Sequence, residues 1–374
     1  MGEFIRIGVD TSQHVFQLHG VDANEQPVLR RKLRRQQLVG FFATLSRTRV
    51  GLEACGASHY WARELSALGH EVVLLPPQRV KPYVGRNKND AADAAAICEA
   101  MSRPHMQFVP AKSAEQQAAL MLAGMRDQLT ARRTQLSNMI RGYAAEFGLI
   151  AARGHDKIKP LLARIAMDET LPELARQLFA PLGEDYAEVT ARLRATDAKL
   201  MAWHRANKTS RSLAKVPSIG PIGATLLVMK VADPRAFRSG RDFSAWLGLT
   251  PKDHSTAGKQ RLGVITRAGD EALRSVLVAG ATAVIQQVKK DRGHPSPWLL
   301  ALLKRKPPKL AAVALANKTA RIAWKLMVSG QSYDPAAATR ASRRATSADR
   351  CAAPSARAAH AAQDAAIAPG GSGA

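Results

Sequence analysis

The chain is short of cysteine and of acids, and it has no long apolar run; each shortage excludes something. Its three cysteines, Cys55, Cys98 and Cys351, are odd in number and lack metal-finger spacing. Neither a disulfide framework nor a zinc site is supported, and free thiols are expected. No apolar stretch approaches the roughly 18 to 20 residues of a membrane-spanning helix, and Met1 to Gly8 lacks the apolar core of a secretory signal. A soluble, cytoplasmic protein is the expectation. Acids number 30 against 55 Lys and Arg, a formal net charge of +25 at pH 7. That excess is beyond what solubility needs and points to a polyanionic partner, nucleic acid above all.

With 374 residues the chain can bury a large core, and ordinary domain sizes suggest two domains with a connector. Strands are expected over 4–10, 14–21 and 26–33 as an antiparallel meander, followed by a helix over 36–46. A strand at 49–53, a helix over 58–68 and a strand at 71–75 come next, so the first 112 residues read as an α/β sheet with mixed pairing. Apolar residues then recur at helical spacing from 114 to 147, predicting one long helix. Pro160, Pro172 and Pro181 are expected to cut the next stretch into short helices before 184–206 turns helical again. Residues 113–207 thus form a helical, coiled-coil connector or dimerising arm. A mainly helical domain fills 208–330, with helices near 221–231, 240–247, 269–290 and 309–328 around a basic, glycine-rich segment from Lys252 to Gly269. The tail, 331–374, is rich in Ala, Ser and Arg and is expected to be disordered.

Two constellations carry chemistry. Asp10 ends the first strand and Glu53 the later one; if those strands lie side by side, both carboxylates emerge at one sheet edge. Asp90 and Asp93 stand three apart on an expected helix and share a face. Four such carboxylates suit Mg²⁺, a hard cation that prefers carboxylate oxygen and water, and a pair of such ions can polarise a phosphodiester. Taken singly, the same residues also read as a turn residue, a helix cap and a solvated strand end.

The second constellation is basic. Lys215 to Thr225 places Gly220 and Gly223 in a Gly-x-x-Gly turn before a helix, as in helix-hairpin-helix elements, where backbone N–H groups receive a phosphate. Further on, Ser255 stands on an expected flexible loop among Lys259, Arg261, Arg267 and Arg274. A serine so placed can approach a phosphate while the cations offset its developing charge. Ser-Thr before Gly-Lys also reads as a plain loop.

Together these fragments resemble the DEDD-type insertion-sequence transposases of the IS110 family, in particular the IS1111 subgroup. The likeness runs from Ile5 to about Leu326. It is carried by Gly8-Val9-Asp10, Glu53-Ala54-Cys55-Gly56, Lys88-Asn89-Asp90-Ala91-Ala92-Asp93-Ala94, Ile219-Gly220-Pro221, Leu247-Gly248-Leu249-Thr250-Pro251 and Ser255 through Asp270. It implies an RNase H-like (RuvC-like) N-terminal domain whose Asp10, Glu53, Asp90 and Asp93 bind Mg²⁺. It further implies a serine, Ser255 by match, that attacks DNA and becomes linked to phosphate. The resemblance also implies a structured noncoding guide RNA and a homo-oligomer, dimer or tetramer, whose composite sites combine one subunit's acids with another's serine. Lys88 and Lys215 join the expected nucleic-acid contacts. One departure is Ala257, where the subgroup carries the first glycine of Gly-Gly-Lys; a displacement by one would put Thr256 in the nucleophile's place. Two other readings stay open: a junction nuclease that uses water, and a basic nucleic-acid binder without catalysis.

Overall fold

A computed structural model of the chain describes residues 4–85, 89–292 and 295–334. Its described residues fall into two compact units: residues up to Asn207 with Thr225–Arg238, and Lys208–Ala224 with the residues from Ser239 onward. The fold is mixed α/β and mostly helical. No helix among the described residues is long and apolar enough to cross a membrane.

The first unit begins with strands β1 (Arg6–Thr11), β2 (Val15–Val21) and β3 (Pro27–Arg34), then helix α1 (Leu38–Ala43), strand β4 (Arg49–Glu53), helix α2 (Ser58–Ala67), strand β5 (Glu71–Leu75), and helices α3 (Pro77–Val80) and α4 (Asp90–Ala100). The five strands form one sheet in the order β3-β2-β1-β4-β5. β1 pairs antiparallel with β2, and β2 with β3, while β1–β4 and β4–β5 are parallel. The meander and the mixed pairing are therefore as read from the sequence.

Side chains alternate across a pleated strand, and here that alternation sorts the sheet into two faces. Ile7, Val9, Phe16, Leu18, Val50 and Leu52 enter one core with Trp61 and Leu65 of α2. The opposite face is notched by Gly8 and Gly51 and covered by α4. A Cβ on Gly8 would fall 2.3 Å from the carbonyl oxygen of Ala94, and one on Gly51 would meet Met101 and Ile97. Small residues on both partners let helix and strand approach backbone to backbone.

The first unit continues with α5 (Ala114–Glu146), α6 (Ile158–Met167) and α7 (Glu173–Ala206). At 1.5 Å per residue, α5 is about 50 Å long. Leu136, Ile140 and Ala144 of α5 pack with Phe179, Tyr186 and Val189 of α7 around Ile158, Leu161 and Ile165. Arg126 Nε donates to Asp197 Oδ1 at 2.7 Å, tying α5 to α7. Pro181 lies inside α7 and does not end it. An interior proline removes one backbone hydrogen bond and costs about 3 kcal/mol; the buried face on both sides of it, Phe179 before and Tyr186 after, offsets that loss. Pro160 likewise falls in the first turn of α6, where a missing N–H has no intrahelical partner to lose.

The second unit holds α8 (Lys208–Leu213), the start of α9 (Pro221–Lys230), α10 (Gly240–Trp246), strands β6 (Pro251–Asp253) and β7 (Leu262–Ile265), α11 (Glu271–Lys289), α12 (Pro297–Arg305) and α13 (Pro308–Ser329). Buried Ala311, Ala312, Ala316, Ala320 and Ala323 give α13 a small-residue face. Gly240 of α10 comes so near that a Cβ there would meet the Arg321 backbone at 3.2 Å. Two elements correct the sequence reading. The helix expected over 36–46 is a 3-10 turn, Arg35–Gln37, followed by the short α1, and α12 has no counterpart in that reading. The tail expected to be disordered lies outside the described residues beyond Asp334, as does Cys351.

Candidate functional site

Asp10 stands next to last in β1 and Glu53 last in β4. The parallel register runs Gly8↔Gly51 and Val9↔Leu52, so Asp10 and Glu53 come next in line on neighbouring strands. By alternation both belong to the face of Gly8 and Gly51, the one α4 covers. Thr11 Oγ1 and Cys55 Sγ, just past the two carboxylates, lie 3.7 Å apart and link the strand ends. Both carboxylates are half-buried.

The helix brings the other two acids to the same side. Ala94, Ile97, Cys98 and Met101 face the sheet, and Asp90 and Asp93 stand four residues before Ala94 and Ile97, on the same stripe one turn earlier. Along the strand, Gly8 lies against Ala94 and Cys98, while Arg6 Nε donates to the Cys98 carbonyl at 3.0 Å. The helix therefore runs opposite to β1, and its first turn, with Asp90 and Asp93, lies toward the end of β1 that carries Asp10. The helix cap is Asn89, whose Oδ1 accepts from Ala92 N at 2.8 Å. That removes the reading of Asp90 as a cap and leaves both acids in the first turn. Among the described residues no three His, Cys, Asp or Glu side chains converge closely enough to hold a metal ion. The donor set, four carboxylates with no soft ligand, nevertheless matches what a hard divalent cation takes. Lys88 lies outside the described residues.

Sequence reasoning missed the groups that fix α4. Arg6 is 7% exposed, and its guanidinium makes two hydrogen bonds to the Glu25 carboxylate besides the one to Cys98. A buried arginine reaching a carbonyl in the last turn of a helix supplies the acceptor's missing partner. The only local signal was an arginine inside an otherwise apolar strand.

The serine segment is an ordered hairpin rather than a flexible glycine loop. β6 and β7 pair antiparallel, and Thr256 and Lys259 form a bridge at the tip. The two residues between them, Ala257 (φ 48°) and Gly258 (φ 75°), both have positive φ, the signature of a type I′ turn. Ser255 N donates to Asp253 Oδ1 at 2.9 Å, and Arg261 N donates to Ser255 Oγ at 3.0 Å. Hydrogen bonding from Ser255 holds the Asp253 carboxyl below its ordinary value. Ser255, Thr256, Lys259 and Arg261 are all exposed.

At the hairpin's base, Gly248 and Gly269 have φ near +71° and +72°, and Cβ atoms there would fall 2.3 Å from Ala268 O and 1.8 Å from Trp246 O. Arg274 is partly used in this closure, its Nη1 donating to the carbonyls of Leu247 and Ala268. Arg267 is held at φ 56° with its N–H on Gly248 O. The turn expected at Gly220 and Gly223 is built differently. Gly223 lies inside α9, Lys215 and Gly220 stand in the α8–α9 connection, and the left-handed residue is Ser218 at φ 76°. Gly280 explains this: a Cβ on it would strike the Ser218 carbonyl at 1.9 Å, so α11 packs directly on the turn.

Comparison with known proteins gives the context for both constellations. Residues 7–147 match the DEDD transposase domain of IS110 elements, and residues 210–294 match the profile described as the Transposase IS116/IS110/IS902 family. The Sinorhizobium fredii protein y4pF/y4sB, by name a transposase, is 64% identical over 332 residues, covering 88% of this chain and 86% of its own. A Pseudomonas aeruginosa protein, by name a family 20 transposase, is 46% identical over 88% of this chain and 98% of its own. The transposase for insertion sequence element IS1111A of Coxiella burnetii is 38% identical over 87% and 90%. Divalent-metal dependence is general among DEDD transposase domains. Both family matches and the length of these alignments place the chain in the IS116/IS110/IS902 transposase family, whose members cut and recombine DNA.

Proposed function

We propose that this transposase cuts and rejoins the DNA of an insertion sequence through a covalent link to Ser255. The observation that carries this reading is the presentation of Ser255: exposed on a hairpin, its Oγ fixed by the Arg261 N–H, its backbone on Asp253, and Lys259 across the turn. In the proposed step Ser255 Oγ attacks a phosphodiester phosphorus and gives its proton to water, the bond to one bridging DNA oxygen breaks, and that oxygen leaves as a DNA hydroxyl after taking a proton from solvent. Lys259 and Arg261 offset the charge that builds on the non-bridging oxygens. Attack by an incoming DNA hydroxyl reverses the linkage and frees the serine.

The sheet order β3-β2-β1-β4-β5, with an antiparallel meander and two parallel strands, supports an RNase H-like first domain. Asp10, Glu53, Asp90 and Asp93 are the residues that would hold Mg²⁺, which when bound supplies Lewis acidity toward a phosphate. The α8–α9 connection, with Lys215 and Gly220 before a helix N-terminus, supports a helix-hairpin-helix-like phosphate contact. Guidance by a noncoding RNA and composite sites in an oligomer enter this proposal from the resemblance to the family.

The test is a denaturing assay for a protein–DNA adduct with cognate DNA, RNA and Mg²⁺. The adduct is expected with the native chain and with Thr256→Ala, and lost with Ser255→Ala. An adduct that persists in Ser255→Ala rejects the assignment, and cleavage retained there without an adduct identifies a water-using nuclease.

A further inference from the structure

The outer strand of the sheet has no role in the readings above. From Arg30 to Arg35 the chain runs Arg-Arg-Lys-Leu-Arg-Arg, five cations in six residues without an acid, and most of it is β3, the edge strand. Charged residues on an edge strand can serve simply to stop another chain from pairing there. The register separates these cations into two groups that behave differently.

Arg31 and Arg35 serve the sheet's α2 side. Arg31 pairs with Leu18 and its guanidinium lies 5.1 Å from the Phe41 ring centre, while that of Arg35 lies 4.8 Å from Trp61. Arg30, Lys32 and Arg34 alternate to the other face, where the register runs His19↔Arg30, Gln17↔Lys32 and Val15↔Arg34. On the far side of β2 the same rows continue as Gly8↔His19 and Asp10↔Gln17. Lys32, Gln17 and Asp10 therefore form one row across three strands, with Lys32 about 10 Å from Asp10 at the usual strand spacing. All three cations are exposed, and none takes part in an ion pair among the described residues. His19 registers the potential of this face: burial first, then Arg30 and Arg6, hold its pKa below the ordinary histidine value.

We propose that Arg30, Lys32 and Arg34 form a rail that binds the phosphate backbone of DNA on the α4 face of the sheet. Three cations at every second residue of an extended strand stand roughly 7 Å apart, a repeat suited to successive phosphates. Charge complementarity names the occupant: three cations with no ion pair among the described residues, one of them in register with Asp10, in a DNA-cutting enzyme. The rail also runs that backbone alongside Asp10, two strands away in the Lys32 row, and this second part rests on the acid-site reading given above.

The test measures binding of the full chain to a mixed-sequence DNA duplex, and to an RNA duplex of the same length, in EDTA over a series of salt concentrations. No cleavage is read, so failure of the acid or serine assignments leaves the result intact. Neutralising all three residues (R30Q, K32Q and R34Q together) is expected to weaken binding and flatten the plot of log K against log salt by about 0.9 for each phosphate no longer neutralised. Lys32→Gln alone should flatten it by a single such step, a check that survives if the triple variant folds poorly. Arg30→Lys with Arg34→Lys should keep the slope, and Arg31→Gln with Arg35→Gln should change it little. An unchanged slope in the triple variant overturns the proposal. So does equal flattening per charge by the Arg31/Arg35 pair, or a weakening confined to RNA of the same length.

Discussion

Gly8 and Ala94 touch through their backbones, with no room for a methyl group on the glycine: a Cβ there would lie 2.3 Å from the Ala94 carbonyl oxygen and 2.5 Å from the Cys98 nitrogen. Those atoms belong to a helix backbone and cannot turn aside as a side chain could. Gly8→Ala must lift α4 from β1, at a cost of about 1–3 kcal/mol as in other overpacked cores. Because Asp90 and Asp93 ride on the same helix, metal-dependent cleavage should fall by more than the stability loss explains. Denaturant unfolding beside a divalent-metal titration of cleavage checks both. Normal metal dependence in Gly8→Ala would separate the helix from the chemistry.

The other end of α4 is fixed by Arg6 and Glu25, and this contact is pH-dependent. Hydrogen bonding to Arg6 is the leading cause that holds the Glu25 carboxyl below its ordinary value. A carboxylate with a lowered folded pKa contributes stability that is complete above its unfolded value of about 4.3 and lost as pH falls through the folded one. Glu25→Gln should therefore be less stable than the native chain at neutral pH, with the gap closing at acid pH below about 4. Thermal unfolding of both chains across that range measures it.

The parts of this fold that the sequence announced are those with a period. β1, β2, β4 and β5 alternate or run apolar, α5 repeats at helical spacing, and Asp90 and Asp93 show their shared face by spacing alone. The serine hairpin announced nothing. Lys252, Asp253, Lys259 and Arg261 are exposed on its strands or beside them, so no apolar alternation marks them, and Ala257 stands where a type I′ turn usually carries Asn or Gly. Pro181 misled for the opposite reason: its local cost is real, but burial of Phe179 and Tyr186 outweighs it. Arg6 meets Cys98 across 92 residues, a pairing no local pattern records. The cations of β3 are visible as composition, yet only the register tells that Arg30, Lys32 and Arg34 share the face of Asp10.

His59 and Lys112 tie α2 to the segment leading into α5. Lys112 N donates to His59 Nδ1 at 3.2 Å, and Lys112 Nζ lies 3.2 Å from His59 Nε2. Burial, then the charges of Lys112 and Arg63, push the His59 pKa down to about 4. The unfolded chain takes up a proton near pH 6.5 that the folded chain refuses, so between about 6.5 and 4 the unfolded state binds more protons. Stability should be complete above that range and decline as pH falls through it. His59→Gln should flatten this decline, read as the denaturant midpoint at a series of pH values. An equal decline in both proteins would assign the effect to other groups.

Ala257 occupies a backbone position that glycine takes without cost. At φ 48° a residue with a Cβ bears roughly 1–2 kcal/mol of strain, yet glycine there would lose more conformational freedom on folding, about 0.4–1 kcal/mol. The two effects oppose, so Ala257→Gly should stabilise the fold by about 0–1.6 kcal/mol and leave adduct formation intact. A β-branched residue has no such balance, because its second branch clashes at positive φ. Ala257→Val should therefore open the turn, release the Arg261 N–H from Ser255 Oγ and lower adduct yield while the helices stay folded. Hydrogen exchange at Lys259 and Arg261 reads the turn directly, since both N–H groups are bonded within it. If Ala257→Val keeps slow exchange at both amides and still loses the adduct, the turn is not what positions the serine.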